Sequence, residues 1–511
     1  MKIIQLFFFF FFFAETTKVM SQNLIPSPEL IKVSEGYCEF NDTLVSIYIQ
    51  DENLVSIPLL RNLILDETPI RVVQHKNNAD ISLLVSQGMP AEGYKIHIDS
   101  AHISIEAADK AGFVYAFQTL RQLKINNKNK WNNVFISDRP YMKWRGFMLD
   151  SGRQYQSVAT IKKYIDMASM LKMNVFHWHL TEGLGWRIEI KKYPQLTQIG
   201  AYVGEGIEQQ GFYSQKDILE LVHYAEERNI TIVPEIDMPG HAEAALASYP
   251  ELGCFGVPVE IPKSGFTKNI FCAGKEQTIQ VLKDVLDEVC QIFPSPYIHL
   301  GGDEALKDNW EKCIDCKNRI EQNGLNDTHE LQLWFSAEMA NHLKEKGRTA
   351  IFWGDLVYKT GYPLPDNVVI QWWDYRNKKD LALRNALKLG YPVICSSNYY
   401  NYLNFPVAPW RGYNENRTFN IRDAYVNNPS YHAVQENDSL VWGMTCALWT
   451  DYGVTEAMID KRLFPRILAL AEQMWHYGEL APFENFYQRV DIMESWFAGA
   501  GFMYGCAFKE E

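Results

Sequence analysis

Two adjacent carboxylates, Asp303 and Glu304, follow the apolar stretch "YIHLGG" at residues 297–302. Neighbouring residues of a strand point to opposite faces, whereas His299, Gly301 and Asp303 would share one face by the period of two. The two glycines allow the backbone to turn at the strand end, so that both acids can face one site. Two such carboxylates repel each other, and we therefore expect one of their pKa values to rise, as a general acid requires. The structural alternative is an acid pair at the N-terminus of a helix formed by "ALKDNW".

Several other apolar runs also end in polar or aromatic residues. These residues are Asp150 with Arg153 beyond it, His177 and His179, Asp237, Trp353 with Asp355, Trp373 with Asp374, and Trp449 with Asp451. Indole rings pack against the apolar faces of sugar rings and around methyl groups. A proton donor among such rings suits the cleavage of a glycosidic bond, which needs an acid and stabilisation of an oxocarbenium-like state.

Eight short apolar runs after residue 139 alternate with amphipathic helices. Their ranges are 144–150, 174–180, 230–238, 297–304, 349–355, 368–374, 392–397 and 441–450. One of the helices begins at Ser214, which forms a capping box with Asp217. The alternation predicts an α/β fold, a (β/α)8 TIM barrel with its site at the carboxyl ends of the strands. An open, doubly wound sheet is the competing fold, but no Gly-rich phosphate turn follows the first strand.

The 511-residue chain is long enough for two or three domains. Residues 1–22 carry one lysine before a short apolar run, which predicts a signal peptide and export to the periplasm or the extracellular space. Residues 23–138 alternate in hydrophobicity and contain one helical segment, "AGFVYAFQTLRQL", so they predict a small α+β domain; the barrel occupies residues 139–511. No later stretch is long enough to span a membrane. The formal net charge of −13 disfavours nucleic acid and anionic membranes as partners.

The nine cysteines all lie after residue 22, and their odd number leaves at least one without a partner in the chain. Cys254 and Cys272 flank a Gly/Pro-rich loop and are candidates for a disulfide in an oxidising compartment. Cys313 and Cys316 form a CxxC motif in a charged helical stretch. Because no second pair lies nearby in the sequence, we expect no zinc site there, and a redox role is not favoured.

Five segments of the chain occur in a characteristic order: "WRGFMLDSGR", "NVFHWHLTEGLGWRIEIKKYPQLTQIGA", "VPEIDMPGHAEAA", "IHLGGDE" and "LWTD". Together they resemble family 20 of the glycoside hydrolases, the β-N-acetylhexosaminidases. The segments "IPSPELIKVSEG" and "AGFVYAFQTLRQL" resemble the small N-terminal domain of that family. The resemblance implies an exo-acting, retaining hydrolase that removes terminal β-linked GlcNAc or GalNAc from a glycan, with no cofactor and no metal.

The resemblance also implies substrate-assisted catalysis, in which the acetamido oxygen of the sugar is the nucleophile and forms an oxazolinium. Glu304 would protonate the leaving oxygen and later activate water, while Asp303 would hold the acetamido N–H. The other implied residues are Tyr402 on the acetamido group, Arg153 on sugar hydroxyls, Trp353, Trp373 and Trp449 as pocket walls, and Asp237 and His241 orienting the acids. The segment "SNYYNYLNF" leaves open a register in which Tyr399 or Tyr400 takes the place of Tyr402.

The chain departs from the family's pattern at three places. The family usually has two acids and a glutamine after "HLT", where this chain has Glu182, Gly183 and Leu184. Asn404 and Asp451 replace an aspartate and a glutamate that normally contact the outer hydroxyls of the terminal sugar, so we expect altered recognition of those hydroxyls. The alternatives are therefore an enzyme for a substituted sugar such as 6-sulfo-GlcNAc, and a non-catalytic glycan-binding protein on the same scaffold.

Two rival classes share short motifs with the chain. His177 and His179 share a strand face, as in barrel metallohydrolases, but those enzymes carry the pair on the first strand and need further histidines and a lysine. "GGDE" also occurs in nucleotide cyclases, although an export signal and a surrounding barrel are not typical of them. The oligomeric state and the natural glycan are not predicted by the sequence.

Overall fold

The computed structural model describes residues 23–508 except 41–42, 125–127, 205, 207–209, 263–266, 408–417, 437–438 and 452. The predicted signal peptide lies outside the described residues and stays a prediction. Among the described helices, none combines the length and the apolar composition that crossing a bilayer requires.

The N-terminal part of the chain is built on a seven-stranded sheet. Its strands are β1 (Leu30–Glu39), β2 (Val45–Ile49), β3 (Ile70–Val72), β4 (Ile81–Val85), β5 (Tyr94–Ile98), β6 (Ile103–Ala107) and β7 (Lys130–Asp138), in the order β1-β7-β5-β6-β4-β2-β3. The described residues of this part form two α-helices, α1 (Ile57–Ile64) and α2 (Lys110–Gln122). The strands β5 and β6 alternate buried and partly or fully exposed residues, because one face of each lies on the core. The predicted α+β character is thus confirmed.

In the remainder of the chain, the described residues form ten further strands. They are β8 (Trp144–Asp150), β9 (Val175–His179), β10 (Thr181–Glu182), β11 (Gly185–Trp186), β12 (Thr231–Glu235), β13 (Tyr297–His299), β14 (Thr349–Trp353), β15 (Val368–Trp372), β16 (Val393–Cys395) and β17 (Val441–Leu448). The strands β10 and β11 form a small hairpin, and the other eight close into a parallel barrel. Each of the eight predicted apolar runs contains one barrel strand, so the (β/α)8 prediction is confirmed and the open sheet is excluded.

Helices fill the connections between these strands. They are α3 (Val158–Met170), α4 (Gln195–Gln198), α5 (Gln215–Glu227), α6 (Glu243–Ser248), α7 (Glu276–Ile292), α8 (Asp308–Lys312), α9 (Ile314–Gln322), α10 (Thr328–Glu345), α11 (Tyr375–Lys378), α12 (Leu381–Leu389), α13 (Ile421–Val426), α14 (Pro429–Glu436), α15 (Ile459–Leu463), α16 (Arg466–Trp475) and α17 (Phe483–Gly499). The predicted capping box of Ser214 and Asp217 is present at the start of α5. Buried apolar residues along α3, α5 and α7 pack these helices on the barrel.

The end of the fourth barrel strand differs from the prediction. The strand β13 stops at His299, and the backbone then turns through Gly301 and Gly302, whose φ angles are +63° and +95°. Asp303 therefore does not share a strand face with His299. The helix-terminus alternative is also wrong, because α8 begins only at Asp308.

The predicted cysteine pairing is wrong as well. Cys254 and Cys272 are both free thiols, and the fold places Cys313 and Cys316 beside them. The Sγ atoms of Cys272 and Cys313 lie 3.8 Å apart although 41 positions separate them in the sequence. The fold therefore brings a second cysteine pair, Cys254 and Cys272, next to Cys313 and Cys316, although the two pairs are far apart in the sequence.

Candidate active site

A cavity of about 270 Å³ opens at the carboxyl ends of the barrel strands. It is lined by Arg153, Asp303, Glu304, Trp373, Arg376, Asn398, Tyr402, Asn404, Phe405, Trp449 and Asp451. All predicted site residues except Trp353, Asp237 and His241 are therefore brought together in this lining. Its volume lies slightly below the roughly 300–1,000 Å³ of drug-sized ligand pockets, so the cavity suits one small unit such as a monosaccharide.

The turn that carries the two acids is wrapped around the carboxylate of Asp237. The Gly302 N–H donates to Asp237 Oδ1 over 3.1 Å, and the Gln332 amide donates to the Gly302 carbonyl over 2.8 Å. A Cβ at Gly301 would lie only 1.7 Å from Asp237 Oδ1, so a glycine is required there for space as well as for its positive φ. Asp237 thus fixes the direction in which Asp303 and Glu304 leave the strand.

Burial dominates the titration of the acid pair. It raises the pKa of Glu304, and it raises the pKa of Asp303 well above its usual range, with Asp237 adding to the effect at Asp303. Repulsion between the two acids, which we predicted as the main cause, ranks behind burial and Asp237. The Asp303 side chain is 12% exposed and that of Glu304 31%, so Glu304 is the one more open to the cavity. Glu304 also adopts a left-handed φ of +48°, a conformation that non-glycine residues rarely adopt away from functional sites.

His241 places a positive charge directly beside the acid pair. Its Nε2 atom lies 3.7 Å from a carboxylate oxygen of Asp303 and 3.7 Å from one of Glu304. Its Nδ1 atom lies 2.7 Å from Glu182 Oε1. Burial by itself would lower the pKa of His241, but Glu182 and Asp303 outweigh it and raise this pKa to about 10. The side chain is therefore an imidazolium at neutral pH.

Glu182 connects His241 to Arg153. The Arg153 guanidinium pairs with Glu182 Oε1 and, over 2.9 Å, with Asp150 Oδ2. Burial would raise the pKa of Glu182, but Arg153 and His241 hold it well below its usual range. The segment "TEGLGW" thus departs from the family's pattern, yet its glutamate remains a charged bridge between two cations.

Aromatic rings form the walls of the cavity. The rings of Trp373 and Tyr402 are nearly parallel, at 8° with centroids 6.4 Å apart, and Trp449 lies 5.9 Å from Tyr402. The Trp373 indole N–H donates to Asp355 Oδ2 over 2.6 Å, while Asp355 Oδ1 accepts the backbone N–H of Glu304 over 3.3 Å. Asp355 therefore links one wall to the acid turn.

The open question about the tyrosine register is answered by strand pairing. Tyr402 bridges to Ala447 on β17, which turns its side chain into the cavity. Tyr399 and Tyr400 instead pack against Phe419. Of the three tyrosines, Tyr402 is the one in the cavity lining.

A second polar layer lies inside the barrel below the cavity. The Glu235 carboxylate contacts His177 at 2.9 Å, His179 at 2.6 Å and His299 at 3.1 Å, and it accepts the Trp353 indole N–H over 2.7 Å. Burial lowers the pKa of His177 to about 4, so this histidine is neutral. The HxH pair of the metallohydrolase hypothesis thus contacts an internal carboxylate below the cavity. The buried Trp353 ring packs under Trp449, with centroids 5.8 Å apart, and lies outside the cavity lining.

Several residues of the site were missed by the sequence analysis. They are Glu235, which organises the interior, and Arg376, Asn398 and Phe405, which line the cavity. Asp355 was recognised at a strand end, but its link between Trp373 and the acid turn was not predicted. Glu235 precedes Asp237 by two positions on a strand end, so the period of two could have found it. Arg376 lies on α11, the short helix after β15, and nothing in its local sequence places it at the cavity.

The two departures Asn404 and Asp451 contact each other. The Asn404 amide donates to Asp451 Oδ1 over 2.9 Å. Burial raises the pKa of Asp451 to about 6, despite the opposing charge of Arg153. The replacements at these two positions are therefore parts of one local change at the cavity.

An acid pair, a buried imidazolium and aromatic walls at the mouth of a (β/α)8 barrel define the class of barrel hydrolases that act on sugars. Residues 142–477 match the model of the glycosyl hydrolase family 20 catalytic domain, and residues 21–139 match domain 2 of the same family. The chain belongs to glycosyl hydrolase family 20, as its motifs predicted.

Related proteins and structures agree with this assignment. A β-hexosaminidase of Porphyromonas gingivalis is 35% identical over 92% of this chain, which spans only 62% of that relative's length. A β-hexosaminidase of Akkermansia muciniphila is 30% identical, over 80% of this chain and 85% of its own. The crystal structure of a β-N-acetylhexosaminidase from Bacteroides fragilis is 56% identical, covers 95% of this chain and 97% of its own, and superposes with a TM-score of 0.91. A family 20 exo-β-N-acetylglucosaminidase from Vibrio harveyi in complex with N-acetylglucosamine is 28% identical over 96% of this chain and 79% of its own, with a TM-score of 0.84.

Gly301→Ala should lower the thermal unfolding midpoint well beyond its control, Gly324→Ala. Both glycines have a φ of +63°, but a Cβ at Gly324 meets no atom within 4 Å, whereas one at Gly301 collides with Asp237. The control therefore reports backbone strain alone, and overpacking should add about 1–3 kcal/mol of destabilisation at Gly301. Calorimetry of the two variants gives the comparison. Equal midpoints would show that Asp237 does not fix the turn.

Proposed function

We propose that this protein is an exo-acting, retaining β-N-acetylhexosaminidase that removes terminal β-linked GlcNAc or GalNAc from glycans. The observation that carries the proposal is the adjacency of Asp303 and Glu304 on one turn, with both carboxylates 3.7 Å from the same His241 nitrogen. Retaining enzymes with their own nucleophile hold two carboxyl groups on opposite sides of the scissile bond, about 5–5.5 Å apart. Two acids on one side fit a reaction in which the acetamido group of the sugar is the nucleophile. The names of the relatives support this substrate class.

Glu304 takes the role of general acid and base. Its raised pKa keeps a proton on it at a pH where a free glutamic acid would be ionised, and its partial exposure opens it to the cavity. In the first step it gives this proton to the glycosidic oxygen as the bond from that oxygen to the anomeric carbon breaks, while the acetamido oxygen bonds to the anomeric carbon and an oxazolinium forms. In the second step it takes a proton from the water that attacks the same carbon, and the bond from this carbon to the acetamido oxygen breaks to restore the acetamido group. The two displacements together retain the anomeric configuration.

Asp303 holds the acetamido N–H and stabilises the positive charge of the oxazolinium. It must be ionised to do so, whereas burial and Asp237 raise its pKa in the free site. The His241 imidazolium, 3.7 Å away, favours the ionised form. The arriving N–H and the developing cation favour the ionised form further.

The aromatic walls position the acetamido group. Burial, together with the nearby Asp303, raises the pKa of Tyr402 well above its usual range, so its hydroxyl remains a donor to the acetamido oxygen. Trp373 and Trp449 flank the methyl group, and Trp353 supports Trp449 from below. Arg153 reaches the sugar hydroxyls with the N–H groups that Asp150 and Glu182 leave available.

Chromogenic β-GlcNAc should be hydrolysed, whereas the matching β-glucoside, which lacks the acetamido nucleophile, should be hydrolysed at least about 10³-fold more slowly. Glu304→Gln should lower kcat by several orders of magnitude on substrates with poor leaving groups and by much less on activated ones, because only the former need the proton. A thiazoline that mimics the oxazolinium should inhibit the wild type. Equal rates on the two glycosides would overturn the mechanism. Binding of GlcNAc without turnover of any glycoside would instead support a glycan-binding protein.

The alkaline limb of the pH profile of kcat/KM should move in opposite directions in two variants. The protonated form of Glu304 is the active one, so activity falls as the pH rises through its raised pKa. The His241 cation lowers this pKa and the Asp355 carboxylate raises it. His241→Gln should therefore move the limb to higher pH, by about 1–3 pH units, and Asp355→Asn should move it to lower pH. A limb that stays in place in both variants would show that Glu304 is not the titrating acid.

A second candidate function, hydrolysis of an anionic substituted sugar such as 6-sulfo-GlcNAc, is favoured by the exposed Arg376 in the cavity lining. The family's aspartate near this rim is replaced by the neutral Asn404, which makes this side of the cavity less negative. An anionic substituent would therefore be attracted by the Arg376 guanidinium, whereas an aspartate in place of Asn404 would form a carboxylate pair with Asp451 and repel it.

Arg376→Gln should lower the ratio of kcat/KM on 6-sulfo-GlcNAc to that on GlcNAc by about tenfold, the loss expected for one charge-assisted hydrogen bond. The matched control is Arg384→Gln, an exposed arginine on α12 that pairs with Asp380. Chromogenic GlcNAc, GalNAc and 6-sulfo-GlcNAc form the substrate panel. An ordinary GlcNAc/GalNAc profile with no turnover of the sulfated sugar would contradict this second candidate.

A further inference from the structure

Four cysteines meet on the two segments that follow the candidate acids and His241 in the chain. Cys254 and Cys272 belong to the connection between α6 and α7, while Cys313 immediately precedes α9 and Cys316 lies in its first turn. Cys272, Cys313 and Cys316 are buried and Cys254 is partly buried. None of the four lines the cavity of the active site.

The spacing of the thiols is that of a metal tetrathiolate. The Sγ atoms are 3.6 Å apart for Cys272 and Cys316, 3.8 Å for Cys272 and Cys313, and 4.0 Å for Cys254 and Cys316. All four sulfurs lie within 4.8 Å of one another. Four sulfurs about 2.3 Å from a tetrahedral zinc ion are about 3.8 Å from each other. Because Cys272 is nearly equidistant from two other thiols, the arrangement does not divide into two disulfide pairs.

The surrounding backbone favours thiolates at this position. The backbone N–H groups of Gly274 and Lys275 donate to the Cys272 sulfur. The N-terminus of α9, with its positive end of the helix dipole, lies at Cys313 and Cys316. Hydrogen bonds of this kind orient and stabilise the sulfur ligands of structural zinc sites.

The backbone is also shaped for close approach of the two segments. A Cβ at Gly274 would lie 2.2 Å from the backbone nitrogen of Cys316, so only glycine allows this contact. Lys275 Nζ donates to the carbonyls of Glu251 and Gly253 and thereby holds the chain next to Cys254. Both cysteine pairs are thus held in place by contacts other than those between the sulfurs.

We propose that Cys254, Cys272, Cys313 and Cys316 bind one zinc ion as a structural site. Tetrahedral ligation by four cysteines is the commonest closed arrangement for this ion, and it leaves no open position for chemistry. The site fastens the segment after β12 to the segment after β13, which are the segments that carry His241 and Glu304.

Two hydrogen bonds connect this site to the active-site loops. Phe271, the neighbour of Cys272, donates its backbone N–H to the Pro239 carbonyl over 2.9 Å. The Phe271 carbonyl accepts the Trp310 indole N–H over 2.9 Å. Loss of the ion therefore acts first on the stability of these loops and only through them on the acids.

The full chain, purified without reductant or chelator, should contain about one zinc per chain by elemental mass spectrometry. Cys272→Ser and Cys316→Ser should each lower the zinc content to about a tenth or less, while Cys290→Ser, which removes a partly buried thiol outside the cluster, should leave it unchanged. If the serine variants do not fold, titration of the wild type with an organomercurial should release the zinc to a chromogenic chelator. The thermal unfolding midpoint should fall as the zinc leaves, independently of any glycosidase assay.

Three results would overturn the proposal. The first is a protein without zinc, whether its four thiols are free or its mass is lower by the four hydrogens that two disulfides remove. The second is iron in place of zinc, recognised by its visible absorption. The third is an equal loss of zinc in Cys290→Ser. None of these results bears on the hydrolysis of glycosides, so this proposal and the proposed function fail separately.

Discussion

The imidazolium of His241 is the interaction on which the arrangement of the site depends. One of its nitrogens contacts Glu182, a carboxylate held in its ionised form by two cations, and the other faces both candidate acids. A buried charge is tolerated only when it is paired, so the cation and Glu182 require each other. The fixed pair leaves Asp303 and Glu304 as the members of this cluster whose pKa values burial raises. The site can therefore move protons without losing the charge balance that holds it together.

Below this cluster, the barrel interior holds a second buried charge that is stabilised by its neighbours, but this one is negative. Glu235 is the anion there, and three histidines and an indole N–H surround it. Burial and, behind it, the charge of Glu235 raise the pKa of the neighbouring Asp237 well above its usual range, which favours the protonated form. A neutral Asp237 can accept the Gly302 N–H without adding a further negative charge beneath the acid turn. Protonation of Asp237 thus limits the repulsion between Glu235 and the acids above it.

The architecture could be predicted from the sequence because it rests on local patterns. Eight apolar runs separated by amphipathic helices indicate a barrel, and the carboxyl ends of its parallel strands meet at one rim. Arg153, Trp373 and Trp449 could therefore be assigned to a common site from their positions in the sequence alone. The turn at residues 301–304 could be predicted only in outline. Its φ angles depend on the Asp237 carboxylate, which lies more than 60 positions earlier in the chain.

The features that were missed depend on contacts between distant segments. Burial, ahead of mutual repulsion, raises the pKa values of the acids, and burial is a property of the closed barrel as a whole. The four cysteines come together because two connections lie side by side in space. Arg376 lies at the cavity because of the position of α11 after β15. Patterns of spacing along the chain carry no signal for such proximity.

The hydrogen bond between Asn404 and Asp451 has an evolutionary consequence. The two positions sit on different loops yet share one contact, so the effect of a substitution at either depends on the residue at the other. The shape and charge of this part of the cavity are therefore expected to change by coordinated replacement of both residues. The acid turn, built on other strands, can be inherited unchanged while the rim diversifies.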